Sequence, residues 1–136
     1  MTEKQKMLMG ILYNAEDQAL IEERNYAKSL TRQFNEHWED KGRRNYLIGQ
    51  IFGSLGKNVH LEAPIYLDYR TTIGSDFFSN FNLTILDGGG VEIGNHVFIG
   101  PNVGIYTANH PADVKRREKG YEWALPVKIG DKVWIG

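Results

Sequence analysis

Hydrophobic positions follow one rhythm in the first third of the chain and another after it, with the change near residues 53–60. Upstream, Ala27, Leu30, Phe34 and Trp38 recur at spacings of three and four, which predicts an amphipathic helix with a single apolar stripe. Its opposite face carries Glu22, Glu23, Arg24, Lys28 and Arg32. Asn14, followed by Ala-Glu-Asp, reads as the N-cap, with acids in the first turn where the helix dipole favours negative charge. Asp40-Lys-Gly42 reads as a turn. Arg43 to Leu55 then repeats the helical pattern through Leu47, Ile48, Ile51, Phe52 and Leu55, with Gly56 as its stop. Residues 1–56 are thus expected to form a helical hairpin that caps the remainder, residues 57–136.

Downstream of Gly56 the helical stripe disappears. Val59-His-Leu, Ile65-Tyr-Leu and Leu83-Thr-Ile-Leu are short β-branched and aromatic runs separated by Gly, Asn and Asp, which is strand-and-turn chemistry. From Val91 a six-residue beat takes over: VEIGNH, VFIGPN, VGIYTA, and then VKIGDK and VWIG. Within each unit Val and Ile flank one outward residue, the alternation of a short strand with one face buried. Gly-Asn-His or Gly-Pro-Asn follows as a corner, where Gly and Asn accept positive φ. Three such faces close a triangular coil, and stacked coils pair in parallel around a central aliphatic column, giving a parallel β-helix. The beat breaks at Thr107, and the segment 106–126 reads as a loop thrown out from the wall. Ile93 and Ile129 are separated by a whole number of sixes, so the loop leaves the repeat in phase.

Composition narrows the function classes. The 136 residues suffice for one domain with a real core, and 41% hydrophobic with 24% charged residues is ordinary for a globular chain. A net charge of −1 offers no electrostatic argument for nucleic acid or an anionic membrane. The absence of cysteine excludes disulfides, thiolate metal sites and a Cys nucleophile. The apolar patch from Met7 to Tyr13 is broken by Gly10 and is too short for a signal peptide or a membrane span, so a cytoplasmic protein is expected.

Four features together carry a family likeness: the hexapeptide repeats, the opening TEKQKMLMGILYN, the stretch Asp76-Phe-Phe-Ser-Asn-Phe-Asn82, and Tyr106-Thr-Ala-Asn-His-Pro111. In these the chain resembles the maltose and galactoside O-acetyltransferases, essentially from end to end. The resemblance implies a mainly β protein, a left-handed parallel β-helix with an N-terminal α-helical segment, against the usual right-handed crossover rule. It also implies a homotrimer with active sites between subunits, acetyl-CoA as donor and a sugar as acceptor, with no metal. Family members continue past the equivalent of Gly136 into further coils that carry much of the coenzyme surface. The sequence therefore looks C-terminally truncated, and a trimeric, non-catalytic β-helix remnant is the alternative expectation.

Acetyl transfer from a thioester to a hydroxyl needs a base at the alcohol, a donor for the developing oxyanion, and orientation of both substrates. Imidazole, which titrates near neutral pH, suits the base. By resemblance His110 takes that part. Asn80 matches the residue that contacts the acceptor near the reacting centre. Phe78, where a relative can carry Tyr, offers a flat wall for a sugar ring, and Asp68 and Arg24 match acceptor-contacting positions. The acid that follows the first helix cap in the family aligns with Ala15 better than with Asp17, which leaves Asp17 a secondary candidate. Glu122 is a candidate for acceptor choice, and Trp134 matches a tryptophan beside the coenzyme's path. Lys115, Arg116, Arg117 and Lys119 give the loop a basic character suited to an anionic coenzyme. Two rival readings use the same residues. One is a zinc site at the subunit interface, as in trimeric β-helices of the carbonic anhydrase type, for which His60, His96 and His110 supply the residue type although no paired-ligand spacing supports it. The other is acetyl transfer to serine or to a xenobiotic hydroxyl.

Overall fold

The computed structural model describes residues 1–136. Helix α1 (Glu3–Leu8) leads into strand β1 (Tyr13–Asn14), followed by helices α2 (Gln18–Glu36) and α3 (Lys41–Ile51). Sequence spacing misses α1, which is fixed by a capping box: Thr2 accepts from the Gln5 amide while the Gln5 side chain returns to the Thr2 amide. The N-cap of α2 is Asp17 and not Asn14, because Asp17 Oδ1 accepts from Leu20 N at 3.4 Å. Asn14 instead accepts from Glu16 N and forms an Asx turn one step earlier. Asp40 caps α3, so Lys41 and Gly42 belong to the helix and not to a turn. That helix also stops at Ile51, four residues before Leu55. Phe52 turns to extended geometry (φ −90°, ψ 144°), and Ser54–Leu55 becomes a strand, β2. An apolar pattern cannot tell the last turn of a helix from the first strand of a coil when both bury the same residues.

The coils then follow in order. Strands β3 (Val59–Leu61) and β4 (Ile65–Leu67) complete the first turn with β2, and β5 (Thr72–Ile73), β6 (Phe77–Ser79) and β7 (Leu83–Leu86) make the second. The third comprises β8 (Val91–Ile93), β9 (Phe98–Ile99) and β10 (Gly104–Tyr106). The excursion carries β11 (Ala108–Asn109), α4 (Val114–Glu118) and β12 (Tyr121–Ala124), after which β13 (Val127–Ile129) and β14 (Trp134–Ile135) begin a fourth turn. All pairings among the coil strands are parallel, giving three faces ordered β2-β5-β8-β13, β3-β6-β9-β14 and β4-β7-β10. Ile73, Ile93 and Ile129 stack in one column, so the excursion does leave the repeat in phase.

The corners work differently from the expectation. The repeat glycines do not supply positive φ. That conformation falls on Asn58, Asp76, Asn82, His96, Asn102 and Lys132. Gly74 is required by proximity instead: a Cβ there would lie 2.6 Å from Gly94 O and 2.5 Å from Asn95 Oδ1. Coil spacing is fixed by the parallel hydrogen-bond ladder, so the corner can hold only a residue without a side chain.

A single cluster of 19 buried residues runs from Leu30 and Phe34 of α2, through Leu47, Ile48, Ile51 and Phe52, into the coil interior up to Ile105. The helical hairpin therefore closes the open end of the prism, where each fully buried Leu, Ile or Phe contributes about 1.5–3 kcal/mol. A smaller cluster of Met7, Tyr13, Ala15, Leu20 and Ala124 lies under the excursion.

Candidate active site

Thr107 is the pivot at which the chain leaves the prism. It is buried, its amide donates to Leu86 O at 2.9 Å, and its hydroxyl accepts from Gly89 N at 3.0 Å. Beyond it the segment 106–126 is not an irregular loop. Strands β11 and β12 pair antiparallel, Ala108 with Ala124 and Asn109 with Trp123, and β12 pairs on its other side with β1, Tyr13 with Glu122. The hairpin thus docks on the N-terminal segment of its own chain. His110 follows directly after β11, one step along the register from the Asn109–Trp123 pair and therefore opposite Glu122.

That position places His110 at the rim of a cleft of about 260 Å³ whose lining includes Arg24, Asp68, Tyr69, His110 and Glu122. His110 is 62% exposed, and its Nδ1 lies 3.8 Å from Glu122 Oε2. Glu122 is only 18% exposed, and its other oxygen accepts from the Tyr13 hydroxyl. Burial, then the Glu122 bond, pushes the Tyr13 phenol far above the ordinary range, so it remains a proton donor at any working pH.

The opposite wall comes from α2 and the turn after β4. Arg24 is not a solvated helix residue: its guanidinium donates to Tyr69 Oη at 3.0 Å and to Ala15 O at 2.8 Å. Beside it, burial raises the Asp68 carboxyl above its usual value, against the opposing pull of Lys28 and Arg24. The turn itself is held by Asp87, which is buried and accepts from Tyr69 N and from the Thr71 hydroxyl, both at 2.7 Å. Burial raises the Asp87 pKa, and these two bonds only partly oppose it.

A pH effect follows from Asp87. A carboxyl whose folded pKa is raised binds more protons in the native state than in the unfolded chain, so it costs stability as pH rises from the unfolded value through the folded one. Asp87→Asn keeps an acceptor for Tyr69 N and removes this charge. Relative to wild type, the variant should therefore gain stability between pH 4 and pH 7, read as the difference in urea midpoint at the two pH values. An offset identical at both would count against a raised Asp87.

Of the residues singled out by sequence, the fold brings Arg24, Asp68, His110 and Glu122 into one cleft. Asp17 is not part of its lining and is occupied as the α2 cap. Phe78, Asn80 and Trp134 lie elsewhere, on or next to the β3-β6-β9-β14 face. There Phe78 stacks on His60, with ring centroids 5.5 Å apart, and Trp134 sits in register with Phe98, 79% exposed. Asn80 Oδ1 accepts from Phe81 N at 2.8 Å, which leaves its amide hydrogens free to donate. Within one chain the three histidines of the metal reading do not converge. His60 pairs with Glu62, His96 with Asp76 and His110 with Glu122. The basic residues of the excursion also divide: Arg117 donates to Pro111 O at 2.9 Å and braces the histidine turn, while Lys115 and Lys119 are exposed. Sequence reasoning missed Tyr13 and Tyr69, whose roles arise from strand register and a long-range contact and leave no local spacing to read.

Comparison with known proteins agrees with this geometry. Residues 6–56 match the maltose acetyltransferase hexapeptide capping motif. An acetyltransferase of Saccharomyces cerevisiae is 45% identical over 136 residues, covering 97% of this chain and 69% of the yeast protein. Among solved structures, a maltose O-acetyltransferase from Clostridium difficile superposes with a TM-score of 0.94 at 47% identity, covering 98% of this chain and 73% of that one. A galactoside acetyltransferase in complex with coenzyme A gives 0.92 at 35% identity, covering 98% and 68%. Fold and relatives define the class as a left-handed β-helical hexapeptide-repeat acyltransferase. Within that class, the chain belongs to the maltose and galactoside O-acetyltransferase family. No helix is long and apolar enough to cross a membrane.

Proposed function

We propose that the protein moves the acetyl group of acetyl-CoA to a hydroxyl of a sugar of the maltose, glucose or galactoside kind, in the cytoplasm, with His110 as general base. The observation that carries this reading is His110 at the rim of a cleft walled by Arg24, Asp68 and Glu122, groups that hydrogen-bond sugar hydroxyls. A cleft of about 260 Å³ lies just below the roughly 300–1,000 Å³ of ordinary ligand pockets, a scale suited to one sugar ring. His110 takes the hydroxyl proton as the oxygen attacks the acetyl carbonyl, and then gives it to the departing thiolate. The binding of coenzyme A by a solved relative supports the donor.

The remaining site residues support a homotrimer. Asn80 and Phe78 do not line the His110 cleft, so a site using all of them draws His110 from one copy and Asn80 from a neighbour. In that arrangement the free amide of Asn80 faces the developing oxyanion, Phe78 walls the sugar ring, and Trp134 flanks the coenzyme. The test is complementation. His110→Ala and Asn80→Ala should each be nearly inactive. Unfolded together and refolded at equal concentration, they should regain activity, because about a quarter of the sites then pair two intact residues. No regain, with trimers formed, would rule out the shared site. Thiol release from acetyl-CoA, assayed with maltose, glucose and a galactoside, reads both activity and acceptor.

A further inference from the structure

Tyr13, Glu122 and His110 stand in one row, with Tyr13 opposite Glu122 on β1 and β12, and His110 one residue beyond the Asn109–Trp123 pair of the hairpin, next to Glu122. Residues directly opposite in antiparallel pairs project to the same side, so the backbone register itself sets the three side chains next to each other. Glu122 is doubly engaged. One carboxylate oxygen accepts from the Tyr13 hydroxyl, and the other lies 3.8 Å from His110 Nδ1. Tyr13 is fully buried and belongs to the small core under the excursion, which makes it a rigid anchor.

We infer that Glu122 is the positioning carboxylate of His110, clamped from behind by Tyr13, so that the N-terminal strand helps to orient the catalytic imidazole. This rests on the reading of His110 as the base. A carboxylate beside Nδ1 holds the proton on that nitrogen and leaves Nε2 bare to accept from the sugar hydroxyl. It also stabilises the imidazolium that forms during attack. The separation of 3.8 Å is an ion-pair distance and not a hydrogen bond, and catalytic contacts of this kind tighten when substrate closes the site. Other charges surround the ring. Glu16, Arg24, Lys28 and Asp68 line the same cleft, and Arg117 lines an adjoining cleft together with the histidine. All of them persist in the variants below, so the differences isolate Glu122.

Glu122→Gln keeps an acceptor for Tyr13 and removes the charge. It should lower kcat/KM roughly 10- to 100-fold, chiefly through kcat, a fraction of the whole effect of a general base. Tyr13→Phe should act in the same direction with a smaller effect. Since Tyr13 works only through Glu122, the double variant should fall little further than Glu122→Gln alone, whereas independent structural damage would add. Imidazole 15N chemical shifts of His110, followed with pH, give a second readout that needs no turnover. They should show the Nδ1–H tautomer in wild type and a shift toward the Nε2–H tautomer in Glu122→Gln. If that variant matches wild type in kcat and in its 15N tautomer signature while His110→Ala is inactive, the inference fails and the base survives. Full activity in His110→Ala would end both.

Discussion

Replacing His110 by alanine is expected to lower kcat/KM for acetyl transfer by roughly 10²- to 10⁴-fold, the range that a positioned general base contributes. Fold stability should hardly change. The side chain is 62% exposed and its polar contact is with Glu122, across 3.8 Å, so its removal strands no buried hydrogen-bond partner. The backbone around it is held independently, by the β11–β12 ladder on one side and by Arg117 on the Pro111 carbonyl on the other. Thiol-release kinetics beside circular dichroism and urea midpoints separate the two effects. A loss of activity smaller than about threefold in a folded variant would remove His110 from the chemistry.

The largest expected effect on stability comes from the smallest substitution. Gly74→Ala places a methyl group 2.5–2.7 Å from Asn95 Oδ1 and from the O and C atoms of Gly94 in the next coil. None of these atoms can retreat easily. Asn95 Oδ1 is already committed to Ser75 N, and the Gly94 amide to Ile129 O, so widening the corner breaks bonds on two coils. A destabilisation of about 2–3 kcal/mol or more is expected, from overpacking against backbone. It should appear as a lower urea midpoint at unchanged slope, measured at matched protein concentration. An effect below about 0.5 kcal/mol would mean that the coils part more readily than their ladder suggests.

From Val91 onward the coils were legible from the repeat alone, because a Val-x-Ile unit must bury two side chains on one face and turn after them; the two earlier coils showed only as short strands and turns. What the repeat could not specify is which residue of each corner is strained and which is crowded. Asparagine, aspartate and even His96 take the positive φ, while glycine answers the close approach of the neighbouring coil. Helix boundaries were legible to within a few residues, except where Ser54–Leu55 exchanges helical for strand partners. Four of the candidate site residues proved to be neighbours in space, though they span the chain from Arg24 to Glu122. The hairpin inside the excursion stayed hidden because its strands are only two and four residues long, too short for any period to show. With it stayed hidden the Tyr13–Glu122–His110 row, which depends on pairing across more than a hundred residues and not on spacing within a segment.

The central claim is that an acetyl group leaves acetyl-CoA and arrives on a sugar hydroxyl. Mass spectrometry of the sugar itself tests it most directly, after incubation of the purified protein with acetyl-CoA and maltose, glucose or a galactoside. The expected result is a singly acetylated sugar that forms in step with thiol release, is cleaved by hydroxylamine as an ester, and is absent with His110→Ala. Unmodified sugar throughout, with thiol release no faster than in the absence of any acceptor, would contradict it.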